Sequence, residues 1–307
     1  MKDKTQEGYE KLYVAFVKNI EGDVTPQKLA NELVERARGG ISKSYWYRLK
    51  TALKHVQAAG GYTKGVAKVD ATTWPKDGIA TKRHDAKKVT QDDYAKLTEF
   101  LLKHGNEIEH SAVVIAYHTG MRPDEMSSAY FNENNELVII GSKKNEKLQR
   151  GADRVIKFDD DVINQEIRSH LNKLQTSGRS KETIQTTISR ATHEAFKRRK
   201  SPPTLKSFRH QFGSELKALI KHGKMSKQEA AYLLGHQSTE SLDRYGDVRC
   251  GNGMRISVEA SLESKADIAN VRVVEKSLET FKSKDKTSQK MQDMSTSHNN
   301  SSIDFGF

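Results

Sequence analysis

One cysteine, Cys250, stands in a chain of 307 residues. No internal disulfide can form, and no Cys/His spacing resembles a zinc site, so no metal site is expected. Apolar runs are equally scarce. None approaches the roughly 18 residues that a bilayer-spanning helix needs, and mean hydropathy is −0.77. The opening stretch MKDKTQEGYEKL lacks the apolar centre of a signal peptide, and no internal repeat is visible. These absences lead to the expectation of a soluble, cytoplasmic protein. Negative charge is the last shortage: 40 Asp+Glu face 52 Lys+Arg, a net charge of +12. That surplus calls for a polyanionic partner, nucleic acid or an acidic membrane surface. No sustained amphipathic cationic helix supports the membrane.

The length suggests about two domains. Residues 1–62 read as helical, with Thr25-Pro26 a good helix start. ISKSYWYRLKTALKHVQAAGG is a helix capped near Ser42 and ended by Gly60-Gly61. Its Tyr45, Trp46 and Tyr47 lie beside Arg48, Lys50 and Lys54. Aromatics among cations can stack on bases, or form a core stripe with a solvated basic face. Residues 63–88, rich in Gly, Thr and Lys, read as a basic linker that contains Lys82, Arg83 and Lys87. A basic linker between two domains suits a clamp around an anionic rod.

A second domain over 89–250 opens at VTQDDYAKLTEFLLKHG, where Thr90 and Asp93 resemble a capping pair. SAVVIAYHTG follows as a buried helix ending at Gly120. Two β-rich runs, 137–140 and 154–158, flank a connection carrying Lys143, Lys144, Lys147 and Arg150, the signal of a hairpin with a long tip. Helical patterns resume to Tyr245. A weaker helical segment is expected over 251–283, and the polar stretch 284–307 reads as disordered. The fold class is mainly α with a small β-sheet or hairpin (α+β).

Four short segments carry chemistry. In HTGMRPDEM, Arg122 precedes Pro123 at a helix start, and Glu125 three residues on can hold its guanidinium. In TLKSFRHQFGSELKALI, Phe208, Phe212, Leu216 and Leu219 make the buried stripe, while Lys206, Arg209 and Gly213 cluster on another face. The hairpin tip crowds lysines into a turn. In SKQEAAYLLGHQSTESLDRY, Ser226 and Glu229 form a capping box and Gly235 ends the helix. His236 therefore emerges from a fixed corner, with Tyr245 nine residues later.

Order and spacing together resemble a tyrosine recombinase of the phage-integrase family over roughly residues 88–250. The family's T-G-x-R-x-x-E segment matches Thr119 to Glu125, its hairpin lysine matches Lys143 or a neighbour such as Lys144, and its H-x-x-R-H matches Lys206 to His210. Its L-G-H matches Leu234-Gly235-His236, and the nucleophilic tyrosine falls on Tyr245. The resemblance implies a helical core-DNA-binding domain in residues 1–62 and a covalent 3′-phosphotyrosyl intermediate. It also implies double-stranded DNA with specific recombination sites as partner, and a homotetramer on two duplexes. Monomer or dimer states off DNA, and accessory factors, fit the same picture. Expected DNA contacts are Tyr45, Tyr47, Arg48, Lys50, Lys82, Arg83, Lys87 and Lys147. The segment after Tyr245 is the candidate protomer contact.

The chemistry asks for these residue types independently. Guanidinium is always charged, planar and bidentate, so Arg122 and Arg209 can bracket a scissile phosphate. His236 can donate to the same oxygen, and a hairpin lysine can protonate the leaving 5′-oxygen. Surrounding positive charge would lower the Tyr245 pKa from about 10. Bond energy is conserved in transesterification, so neither ATP nor a metal cofactor is required. One departure stands out: Lys206 occupies the place of the family's usual histidine. A protonated lysine supports the phosphate but cannot accept the tyrosine's proton, although two nearby arginines would lower its pKa. His210, about 40° from Lys206 around the helix, is the other candidate acceptor. Rival readings are a type IB topoisomerase, which uses a similar set, and a DNA-binding accessory factor with a decayed site.

Overall fold

The computed structural model describes residues 3–81, 86, 88–142, 144, 151–253 and 258–274. Two compact units divide the chain, residues 1–84 and 85–307.

The first unit holds four helices: α1 (Asp3–Val17), α2 (Pro26–Arg38), α3 (Lys43–Ala59) and α4 (Thr63–Ala71). Thr25 caps α2, with Pro26 at its first position, and Ser42 caps α3 through the Tyr45 N–H. Phe16, Leu29, Leu33, Trp46, Leu49, Leu53 and Val69 form its core. Trp46 donates its indole N–H to the Leu33 carbonyl at 2.7 Å, which satisfies the one polar atom that its burial would otherwise strand.

The expected linker is corrected here. Residues 63–71 form α4, packed by Val69 into the core of the first unit. Lys50 completes this helix's C-terminus, donating to the carbonyls of Asp70 and Thr72 at 2.7 and 2.8 Å. Those end carbonyls have no partner within the helix, so a cation placed there favours a helix that local composition alone would not predict. Beyond α4 the chain stays fastened to the same unit: the Ile79 N–H donates to the Ala37 carbonyl and the Thr81 N–H to that of Ile41.

The second unit is mainly helical with one small antiparallel sheet. Its helices are α5 (Gln91–Lys103), α6 (Glu107–Thr119), α7 (Asp161–Thr176), α8 (Lys181–Ala195), α9 (Leu205–Lys221), α10 (Lys227–Leu233) and the short α11 (Lys265–Ala269). Thr90 and Asp93 form a reciprocal capping box on α5, as do Thr204 and Ser207 on α9. The sheet runs in the order β1 (Tyr130–Phe131), β2 (Leu137–Ile139), β3 (Arg154–Phe158), β4 (Val258–Ala260), all antiparallel. The predicted hairpin is β2–β3, with Leu137 opposite Ile156 and Ile139 opposite Arg154. Most of its tip, 143 and 145–150, lies outside the described residues.

A second correction concerns residues 251–283, expected to be helical. Val258–Ala260 instead extends the sheet, Phe158 facing Val258 and Ile156 facing Ala260, and only Lys265–Ala269 is α-helical among the described residues. The open edge of β3 offers unpaired backbone groups, and pairing with it outweighs weak helical propensity. The expected disordered stretch 284–307 lies outside the described residues.

The core runs from α5 and α6 through the sheet to α9 and α10. Helix α6 is buried nearly all round and stops at Gly120 in left-handed geometry. That stop and the α9 face meet at one place.

Candidate active site

Arg122 lies just past Gly120. Its backbone N–H donates to one Glu125 oxygen at 2.9 Å, and its Nη1 donates to the other at 2.5 Å. Glu125 is fully buried and also accepts from Arg154 Nη2 at 2.9 Å. Burial by itself would raise the Glu125 pKa. The charge and hydrogen bond of Arg154, with the charges of Arg209 and Arg122, outweigh it and bring the carboxyl to about 2.

Arg209 projects from α9 and is buried. Its Nη1 donates to the Gly120 carbonyl at 2.7 Å, and its Nη2 to the Leu234 carbonyl and, at 3.3 Å, to His236 Nε2. One guanidinium thus joins the turn that carries Arg122 to the turn that carries His236. Burial and the like charges of Arg122 and Arg154 pull its pKa down, yet a guanidinium so shifted is still a cation at neutral pH.

His236 follows the end of α10. Gly235 has φ +62, and a Cβ there would stand 2.6 Å from Arg154 Nη1. Only glycine meets both demands, so Gly235 fixes the corner and admits the buried arginine. Burial, then the charges of Arg209, Arg122 and Arg154, lower the His236 pKa to about 2. The ring is neutral. Because arginine can only donate, Nε2 is the acceptor and the proton sits on Nδ1; that Nδ1 has no hydrogen-bond partner among the described residues.

Tyr245 follows a 3₁₀ turn over Thr239–Arg244. The Arg209 guanidinium carbon lies 4.9 Å from its ring centre, and the His236 and His210 rings lie 5.1 and 5.3 Å away. Burial pushes the phenol pKa up, but the charges of Arg209 and Arg122, and hydrogen bonds from both, leave it below its ordinary value. Gly213, on the face of α9 shared with Lys206 and Arg209, allows this approach: a Cβ there would stand 3.2 Å from Tyr245 Cβ. A pocket of about 420 Å³ opens beside Tyr245, lined by Arg122, Lys206, Arg209 and, from α8, Gln185 and Ser189. Lys206 is exposed at this pocket. His210 Nδ1 accepts the Gly246 N–H at 3.3 Å, so that nitrogen holds the loop after Tyr245.

The other expected residues separate. Lys144 pairs with Asp153, whose second oxygen accepts the Gly141 N–H at 2.7 Å. Tyr45, Tyr47 and Arg48 are exposed on α3. Lys50, also expected to contact DNA, directs its ammonium to the carbonyls at the end of α4. Lys82, Arg83, Lys87, Lys143 and Lys147 lie outside the described residues. Sequence reasoning missed Arg154, Gln185 and Ser189. A signal for Arg154 was present: in Arg-Val-Ile-Lys-Phe it is in phase with Ile156 and Phe158, the inward set of β3. Nothing local singled out the α8 pair.

Among the described residues no group of His, Cys, Asp or Glu is disposed to hold a metal ion, and no helix is long and apolar enough to cross a membrane.

A mainly helical unit with a four-stranded antiparallel sheet, its buried arginines gathered round a tyrosine, has the fold of the tyrosine recombinases. A lambda integrase tetramer bound to a Holliday junction superposes with TM-score 0.54 at 18% identity, over 81% of this chain and 73% of that one. A lambda integrase dimer bound to a core site gives 0.53 at 19%, over the same shares. A Tn1549 transposon integrase in complex with transposon right end DNA gives 0.51 at 15%, over 81% and 92%. No family model and no curated protein sequence matches the chain.

Proposed function

We propose that this chain is a site-specific DNA recombinase of integrase type. It cleaves and rejoins strands through a 3′-phosphotyrosyl intermediate, in the integration or excision of a mobile element. The observation that carries this reading is a charge imbalance. Three guanidinium groups, Arg122, Arg154 and Arg209, surround one carboxylate, Glu125, beside a phenol whose pKa Arg209 and Arg122 lower. Two positive charges are left uncompensated in a desolvated cluster, where an anion is strongly favoured. A phosphodiester supplies one negative charge and its pentacoordinate transition state two.

In that reaction Tyr245 Oη bonds to phosphorus and the P–O5′ bond breaks. Arg122 and Arg209 stabilise the non-bridging oxygens, each such donor contributing roughly 10²–10³ in rate. The phenol, held below its ordinary pKa by the two arginines, gives its proton to solvent at the pocket, where the Lys206 ammonium supports the phosphate. A hairpin lysine, Lys143 or its neighbour Lys144, protonates the departing 5′-oxygen; for Lys144 this requires exchanging Asp153 for DNA. His236 donates from Nε2 once the phosphate draws Arg209 away and the ring proton moves from Nδ1 to Nε2. Attack by a 5′-hydroxyl from another strand reverses the sequence and restores the phenol, so the energy of the phosphodiester is kept.

Double-stranded DNA bearing the recombination sites is the partner, gripped mainly through phosphates, so affinity falls steeply with salt. Both units contribute contacts, Tyr45, Tyr47 and Arg48 from the first. A tetramer on two duplexes, with monomers or dimers off DNA, is the assembly we propose, by likeness to the lambda integrase tetramer.

A suicide substrate nicked beside the cleavage point, drawn from a library of DNA fragments, tests the reading. The expected product is a covalent protein–DNA adduct that disappears in Tyr245→Phe. No adduct, or one that persists in Tyr245→Phe, overturns it. Relaxation of a supercoiled plasmid without paired sites would instead identify a type IB topoisomerase.

A further inference from the structure

Glu215 is buried on α9, yet it has no part in the chemistry above. Its Oε2 accepts the backbone N–H groups of Asn252 and Gly253 at 2.8 and 2.9 Å. Its Oε1 accepts from Gln211 Nε2 at 2.7 Å. Gln211, equally buried, uses its whole amide. Nε2 also donates to the Cys250 carbonyl at 2.8 Å, and Oε1 accepts the Val89 N–H at 3.0 Å. Every donor and acceptor points one way. A flipped Gln211 amide would set its NH₂ against the Val89 N–H, so the network has one orientation.

These bonds fall on the segment that leaves Tyr245. Nearer the tyrosine, the Asp247 N–H donates to Ser214 Oγ at 2.9 Å and Lys217 Nζ to the Gly246 carbonyl at 3.0 Å. The loop is therefore fastened to α9 turn by turn, and α9 also carries Arg209. Val89 is where the chain enters α5, so one side chain also ties that entry to the same helix.

We propose that Gln211 and Glu215 are positioning residues: they clasp residues 250–253 to α9 and thereby set the distance between Tyr245 and Arg209 in the strand-cleavage step. The proposal rests on the phosphotyrosyl reading for its effect on rate, while the clasp itself can be read without DNA. In Glu215→Gln an NH₂ must face either Gln211's own NH₂ or the two backbone N–H groups, so the clasp opens.

The test compares wild type, Glu215→Gln and the exchanged pair Gln211→Glu with Glu215→Gln. The exchange restores an acceptor for the Val89 N–H and an amide oxygen for Asn252 and Gly253, but it loses the bond to the Cys250 carbonyl and sets a carboxylate oxygen against that carbonyl, so its recovery is partial. Trypsin cleavage after Arg249, whose side chain is 85% exposed, reads the loop directly. It is expected to accelerate several-fold in Glu215→Gln, with no change at other sites, and to slow again in the exchange. On the nicked substrate, the single-turnover adduct rate is expected to fall by roughly 100-fold in Glu215→Gln. DNA affinity is expected to hold, and the exchange to recover part of the rate. Wild-type cleavage after Arg249 in Glu215→Gln overturns the clasp, even if wild type forms no adduct and the activity reading fails. An opened loop with an undiminished adduct rate overturns the positioning role. Should Glu215→Gln not fold, Glu215→Asp, which withdraws the carboxylate by one methylene, is read by the same two measurements and the same outcomes.

Discussion

In the helical unit, the described buried side chains are Phe16, Leu29, Leu33, Trp46 and their apolar neighbours, and the polar one among them is Gln57. The second unit buries Arg122, Arg154, Arg209, Glu125 and His236 beside an equally apolar core. Both units are rich in cations, but among the described residues the first fully buries none, and its pair of Lys54 with Asp70 is exposed. Moving an ion out of water costs several kcal/mol even after relaxation, so a chain that buries three arginines around one glutamate gives up stability for something else. Charge held out of water acts on a phenol or a phosphate far more strongly than charge in solvent. The difference between the units is thus one between charge held in solvent and charge held out of water.

The largest effect should come from changing the shape of a buried cation while keeping its charge. Arg209→Lys cannot serve Gly120, Leu234 and His236 together, and its adduct rate on the nicked substrate should fall by roughly 10²–10³. An undiminished rate would mean that charge alone suffices there.

Next is stability. Arg154→Met removes the cation whose pairing does most to keep Glu125 ionised, and denaturant unfolding should show a loss of about 3–5 kcal/mol. Lys54→Met on α3 should cause no measurable loss, since its pair with Asp70 is solvated. Equal losses at the two sites would erase the contrast.

Acid should act on the second unit through two buried groups in the same direction. Glu125 sits at about 2 when folded, so its stabilisation is complete above the ordinary carboxyl range and is lost as pH falls towards 2. His236, also at about 2 against an ordinary 6.5, takes up a proton only on unfolding through that range. Both make stability rise with pH between about 2 and 6.5. His236→Asn should flatten the upper part of that rise, near pH 5–6.5, and leave the Glu125 part below it.

The smallest effects belong to the first unit. Arg48→Ala should weaken DNA binding modestly and reduce the salt slope by about one, read by binding titrations at several salt concentrations. Lys50→Met should leave that slope unchanged and lower the unit's melting temperature instead, because its ammonium serves α4.

What was legible follows the range of the forces involved. Helix starts and stops are short-range, so Thr25, Ser42, Thr90 and Ser226 could be read as caps directly. The T-G-x-R-x-x-E and L-G-H turns are likewise local, and their spacing to Tyr245 needed no structure to be noticed. Residues 63–71 misled because α4 depends on Lys50 and on the core that receives Val69, neither of which is visible in its own composition. Residues 258–260 misled because β3 recruits them across a long stretch of chain.

By itself, then, the sequence determined the caps, the inward stripes and the order of the candidate site residues, all set by neighbours within a few positions. The tertiary structure alone decided that Glu125 shares its carboxylate with Arg154, 29 residues away, and that His236 is a neutral acceptor facing Arg209. It also decided that Gln211 reaches Val89 across 122 residues. Burial and pairing set those properties, and both depend on which distant groups arrive at the same place once the core has closed.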